Sequence, residues 1–243
     1  MKMFQKRFFV LAVSLLFVQS VLAEEKESHK KESTTTEHES VESLSPDEAM
    51  KRLAEGNARF RKNQLAHPRQ NMARVSETSK GQHPFAVVVT CADSRLSPEI
   101  IFDQGIGDLF VLRVAGNIPD DHMLGSVEYA ITHLGSRLVM VLGHENCGAV
   151  KATLEAGKDI KKLPGHVSSL AKSIAPAVKD DLCEKGDKLQ CAVRANVRHV
   201  VDGLNKNQPI IGKMAKDEDI VIVGAVYDIE TGKVKVLKSE TEL

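Results

Sequence analysis

Four short, almost uninterrupted apolar runs constrain this 243-residue chain more than any other feature of its sequence. Residues 85–90 (FAVVVT) show no polar alternation, which marks a strand covered on both faces rather than one face-exposed to water. Residues 108–114, 137–142 and 220–226 repeat the pattern. Helical patterns lie between them. Ser45-Pro46-Asp47-Glu48 opens a helix over 47–62, with a capping Ser, Pro in the first turn and acids at its positive end. Shorter helical patterns cover 98–104, 121–134 and the segment after Cys147, and 189–206 is strongly amphipathic. Strands alternating with helices imply a parallel sheet. Thr231-Gly232 between two β-prone stretches predicts a terminal hairpin, which sets the last strand antiparallel at an edge. The expected fold is a single α/β domain over 45–243. It has about four parallel strands plus an antiparallel edge strand, flanking helices and an N-terminal helical arm. Residues 63–84 read as a long polar excursion.

The chain begins with an address. Lys2, Lys6 and Arg7 precede an apolar run over 8–18, and Val21-Leu22-Ala23 gives a small-x-Ala cleavage pattern. The run is about 11 residues, short of the ~20 that a spanning helix requires. The reading is a signal peptide over 1–23, an uncleaved anchor being the alternative. The mature protein is then exported, periplasmic or secreted, with no membrane span. Residues 24–44 carry too few large apolar side chains to offset chain entropy, and read as a disordered leader. Lys+Arg and Asp+Glu both number 33 over the whole chain. Losing residues 1–23 removes three cations and no acid, so the mature protein is mildly acidic. That balance argues against a nucleic-acid partner.

The four cysteines sort into two pairs. Cys91 follows the first strand directly, and Cys147 follows the third within Gly143-His144-Glu145-Asn146-Cys147-Gly148. In open α/β sheets, ligands bind at the carboxyl ends of strands. Cys91, His144 and Cys147 make a Cys₂His set that suits zinc and leaves a fourth position open. A structural cysteine pair or a Cys91–Cys147 disulfide fits the same spacing. Asp93 and Arg95 follow Cys91 closely, either as a carboxylate held ionised by a guanidinium or as a cap for the next helix. Cys183 and Cys191 flank a Gly186-Asp187 turn and, in a compartment reached by export, are expected to pair, two separate thiols being the alternative.

Cys91-Ala92-Asp93-Ser94-Arg95, the segment Gly107 to Asn117, Ser126-Val127-Glu128-Tyr129-Ala130 and Gly143-His144-x-x-Cys147-Gly148 together resemble the β-class carbonic anhydrases. The motifs occur in the family's order and span about residues 48–230. The resemblance implies zinc, one ion per chain, on Cys91, His144 and Cys147, with a catalytic Asp93/Arg95 dyad. It implies reversible hydration of carbon dioxide to bicarbonate and a proton, through zinc-bound hydroxide that the dyad orients. The family's plant-like subtype places substrate-contacting groups at Gln82, Phe110, Tyr129 and Gly148. A second subtype carries a Trp near an inhibitory bicarbonate site, and this chain has no Trp. The family builds its pocket from two chains, so a homodimer or higher homo-oligomer is implied, with the 47–62 helix as an arm on a neighbour. Two other readings stay open on the residues alone. One is a metal-free cysteine hydrolase using Cys147, His144 and Asp93. The other is a non-catalytic zinc-binding protein.

Overall fold

Each apolar run forms a strand in the computed structural model, which describes residues 43–178 and 186–237. Strands β1 (Ala86–Thr90), β2 (Leu109–Arg113), β3 (Leu138–His144), β4 (Val221–Tyr227) and β5 (Val234–Val236) form one sheet in the order β2-β1-β3-β4-β5. The first four are parallel and β5 pairs antiparallel with β4. Every residue of β1 and β3 is buried, whereas β2, at the sheet's open edge, is half-buried. This explains why the central runs lack alternation: both their faces are covered.

One face is closed by helix α1 (Pro46–Arg61), whose Ser45 and Glu48 form a reciprocal capping box. Ala49 and Leu53 of α1 are fully buried within the chain's own core. The inner face of α1 is thus occupied within its own chain, so an arm on a neighbour would use the outer face. On the other face lies helix α7 (Lys188–Lys206). Its Val197 rests on the sheet where Gly143 and Gly224 provide space. A Cβ at Gly143 would stand 2.4 Å from Val197 Cγ2, so the close seating requires glycine.

The remaining helices are α2 (Met72–Thr78), α3 (Pro98–Ile101), α4 (Asp121–His133), α5 (Gly148–Ala156), α6 (Val167–Ile174) and α8 (Ile211–Lys216). Four differ from the sequence reading, α8 among them, since no helical pattern was expected over 211–216. Helix α2 falls inside the expected polar excursion. It buries no residue, so no apolar stripe announced it; Asn71 caps it, and Arg74 ties it to the Ile106 carbonyl at 2.8 Å. Helix α3 stops early, before Asp103, whose φ of 48° breaks the helical turn. Helix α6 had no sequence expectation, although its inner residues Ala171 and Ile174 are buried.

Residues 1–42 and 179–185 lie outside the described residues, and with them the signal peptide, most of the leader, and Cys183. Ser43 and Leu44, expected to end the leader, belong to the fold: Arg137 Nε donates to Ser43 Oγ at 2.9 Å, and Leu44 packs on the core. No helix among the described residues is long and apolar enough to cross a membrane.

Candidate metal centre

Strands β1 and β3 are neighbours, with Thr90 opposite Leu142, so the chain leaves both at the same end of the sheet. The Thr90 hydroxyl donates to the Leu142 carbonyl at 2.8 Å, tying the two strand ends together directly beneath the site. Cys91 is the next residue after β1. Strand β3 runs on to His144, which pairs with Tyr227 of β4; His144 is thus the last strand residue rather than part of a turn. Cys147 caps α5 three residues later.

This arrangement brings Cys91, His144 and Cys147 together, all buried, with their ligand atoms within 4.8 Å of one another. Both cysteines are free, so the alternative of a Cys91–Cys147 disulfide is excluded. His144 Nδ1 lies 2.9 Å from the Glu145 carbonyl, which makes it the protonated nitrogen. Nε2 then offers a lone pair, and it is buried without a hydrogen-bond partner among the described residues. A buried, unpartnered imidazole nitrogen beside two thiols is costly unless a cation fills the gap, so the donor set fits zinc. The hydrogen bond from Cys147 holds the Cys91 thiol well below its usual range, with the Gly116 amide assisting. The same pairing and burial push Cys147 up.

Asp93 and Arg95 stand as a tight pair at the mouth. Arg95 donates from Nε to Asp93 Oδ1 at 2.9 Å, from Nη2 to Oδ2 at 2.7 Å, and from its amide to Oδ1 at 3.0 Å. These bonds, the Arg95 side chain first, hold the Asp93 carboxyl well below the usual carboxylate range. Asp93 Oδ2 lies 3.8 Å from His144 Nε2. That distance decides against a hydrolase triad. A triad needs the carboxylate on the nitrogen opposite the nucleophile's base nitrogen. Here the opposite nitrogen is spent on a backbone carbonyl, and Asp93 approaches Nε2 instead.

Three supporting groups had no role in the sequence reading. Arg113, the last residue of β2, donates from Nε to the Cys91 carbonyl at 3.2 Å and from Nη2 to the Asp93 carbonyl at 2.7 Å. The Gly116 amide donates to Cys91 Sγ at 3.3 Å. Asn196, fully buried on α7, donates to the Gly116 carbonyl at 2.8 Å. Asn196 was findable, because it interrupts the apolar stripe of Val193, Val197 and Val200.

The substrate-contacting candidates divide. Gly148 is the first residue of α5, exposed and adjacent to Cys147, so its amide opens beside the cluster. Gln82 is exposed and precedes β1, at the amino end of the sheet, opposite the end that carries Cys91. Phe110 lies half-buried on edge strand β2. Tyr129 is 46% exposed on α4, its ring stacked on His133 with centroids 5.1 Å apart. Within one chain, Gln82 does not join the cluster.

Residues 86–234 match the family model for carbonic anhydrase. A carbonic anhydrase of Mycobacterium tuberculosis is 40% identical over 191 residues, covering 77% of this chain and 91% of that protein. The chain belongs to the β-class carbonic anhydrases. Among solved structures, a Coccomyxa β-carbonic anhydrase aligns with a TM-score of 0.62 at 28% identity, covering 76% of this chain and 84% of its own. A tetrameric β-carbonic anhydrase from the ascomycete Sordaria macrospora aligns with a TM-score of 0.61 at 25% identity, covering 69% of this chain and 87% of its own. The enzyme class is therefore carbonic anhydrase, the hydration of carbon dioxide, and the Cys91, His144 and Cys147 cluster lies inside the matched region.

Proposed function

We propose that the chain hydrates carbon dioxide reversibly, using one zinc held by Cys91, His144 and Cys147 and a dyad of Asp93 and Arg95. The observation that carries this reading is the buried Nε2 of His144 facing two free thiols, with Asp93 at 3.8 Å. Zinc bound there supplies the Lewis acidity that brings a water's pKa near neutrality. Asp93 does the aiming. Its Oδ1 is taken by two Arg95 donors, while Oδ2 accepts one and keeps a lone pair for the proton of the attacking oxygen. That hydrogen bond turns the oxygen's reactive lone pair toward the carbon. Arg95 keeps Asp93 ionised and prevents it from swinging into the position the attacking oxygen needs. The Gly148 amide, in the unpaired first turn of α5, donates to the oxygen that gains charge as carbon dioxide bends.

Gln82, Phe110 and Tyr129 are proposed to complete the pocket of a neighbouring protomer in a homo-oligomer. Their positions at the amino end, the open β2 edge and the exposed side of α4 support that reading. The substrate is small and apolar, which suits aromatic walls, and bicarbonate leaves past polar Gln82. The address at residues 1–23 supports export to the periplasm or beyond.

Elemental analysis with stopped-flow carbon dioxide hydration tests the reading. We expect about one zinc per chain, lost together with activity in Cys91→Ser. Asp93→Asn should keep the metal and lose roughly 10–100-fold in turnover or more. Full activity in metal-free protein, or wild-type turnover in Asp93→Asn, overturns it.

A further inference from the structure

The amino end of the sheet, opposite the metal centre, holds a cavity of about 530 Å³. Asp108 lies at its wall, 4% exposed, just before β2. Arg69 grips this carboxylate, donating from Nε to Oδ1 and Oδ2 at 2.7 and 2.9 Å and from Nη2 to Oδ2 at 2.7 Å. Two further guanidiniums crowd the same group. Arg52 Nη2 and Arg74 Nη2 each lie 3.6 Å from Asp108 Oδ1. Lys80 lines the cavity as well, and Glu77, 69% exposed, takes only Arg74 Nη1.

The charge does not close. Four permanent cations face one buried and one exposed carboxylate. A neighbouring network shows what closure looks like: Asp103 takes one guanidinium, Arg59 at 2.6 Å, and two amides, Ala66 and His67 at 3.0 Å. That set anchors the 63–69 segment without surplus. Around Asp108 the surplus is held in place deliberately. Arg52 Cζ lies over the Phe85 ring, 4.5 Å from its centroid, and its Nε is fixed by Gln104 at 3.1 Å. Burial, then the nearby Arg69 charge, lowers the Arg52 pKa, as expected where like charges are packed together. Several donors are unspent: Arg52 Nη1, Arg69 Nη1 and Lys80 Nζ make no hydrogen bond among the described residues.

We propose that this cavity binds a dianionic phosphate group between Arg52, Arg69, Arg74 and Lys80. The free Nη1 groups of Arg52 and Arg69, the Arg74 charge and the Lys80 ammonium match the tetrahedral oxygens of phosphate, and a guanidinium held by packing loses little freedom on binding. Asp108 would repel an anion placed directly on it, so the phosphate sits on the outer ends of the guanidiniums. The volume leaves room for an organic body behind the group. Free phosphate and a small phosphomonoester share this chemistry.

Isothermal titration of the full-length protein at constant ionic strength tests the site, with inorganic phosphate in one arm and glycerol 3-phosphate in the other. We expect saturable binding, weakened at least about fivefold by Lys80→Gln and more by Arg52→Gln, since each removes a charge-assisted donor. The Lys80 side chain is exposed and makes no hydrogen bond among the described residues, so its variant folds even where Arg52→Gln does not. Tighter binding of the monoester assigns the cavity to esters, and equal binding assigns it to free phosphate. No saturable binding, or binding that neither variant weakens, overturns the proposal; the second result would place the anion elsewhere, such as the metal centre.

Discussion

Arg113 holds Asp93 by its backbone rather than by its carboxylate: Nη2 donates to the Asp93 carbonyl oxygen at 2.7 Å, while Nε donates to the Cys91 carbonyl at 3.2 Å. One side chain on β2 thus grips Cys91 of the proposed metal cluster and Asp93 at once. Arg95 sets the direction of the Asp93 carboxylate, and Arg113 sets where its backbone stands.

Arg113→Ala should therefore loosen both groups without removing any ligand or dyad member. Outer groups of this kind typically cost about 10–100-fold in metal affinity or activity when lost. We expect a drop of that size in kcat/KM, with zinc content falling less than in Cys91→Ser. Arg113→Lys keeps a single donor and should fall between. Stopped-flow rates with elemental analysis give both readouts, and unchanged kcat/KM in Arg113→Ala would refute the clamp.

Gly116 joins the metal centre to the far side of the fold. Its φ is 78°, its amide serves Cys91 Sγ, and its carbonyl is held by Asn196. A Cβ there would sit 2.7 Å from Ile174 Cδ1. Gly116→Ala should cost about 1–3 kcal/mol from backbone strain, with overlap against α6 added. Adding Ile174→Val relieves only the overlap, so the double variant should recover part of the loss. Urea unfolding of the three proteins checks this. A single variant as stable as wild type would show that the left-handed backbone is not required.

Acid stability should report on Asp103. Burial alone would raise this carboxyl, but the Ala66 and His67 amides and the Arg59 guanidinium together hold it below its ordinary value. A depressed folded pKa contributes stability above the unfolded value of about 3.9, and that contribution is lost as pH falls through the folded pKa. Asp103→Ala leaves two amides and a guanidinium without their acceptor. The variant should melt earlier at pH 7, and its deficit against wild type should shrink below about pH 4. A deficit that stays constant down to pH 2 would show the loss to be packing rather than charge.

The sheet was legible because parallel strands are buried on both faces, and residues 85–90 or 137–142 have no other way to be covered. The five residues of the centre were legible for a related reason: Cys91 and His144 stand at neighbouring strand ends, and Cys147, Asp93 and Arg95 follow within a few positions. What the sequence hid depends on long-range partners. Arg113 reaches back 20 residues to Asp93, and Asn196 spans 80 positions to Gly116. Helix α2 escaped notice because tertiary bonds from Arg74, rather than an apolar face, hold it.

The second cysteine pair yields the last prediction. Cys91 and Cys147 are free, whereas Cys191, at the start of α7, is disulfide-bonded, with Arg194 Nη2 3.1 Å from its sulfur. Cys183 lies outside the described residues, and we expect it to be the partner. The loop so closed is short, so the bridge is worth about 2–3 kcal/mol in the chain-entropy model. Asp187 already caps α7 through the Leu189 and Gln190 amides, so the bridge would tether a loop whose end is fixed. Reduction should lower the melting temperature by several degrees while leaving zinc content unchanged, because the metal thiolates take no part in the bridge. Mass spectrometry of unreduced, alkylated protein should find a linked peptide pair carrying Cys183 and Cys191. Alkylation at both positions would rule the bridge out.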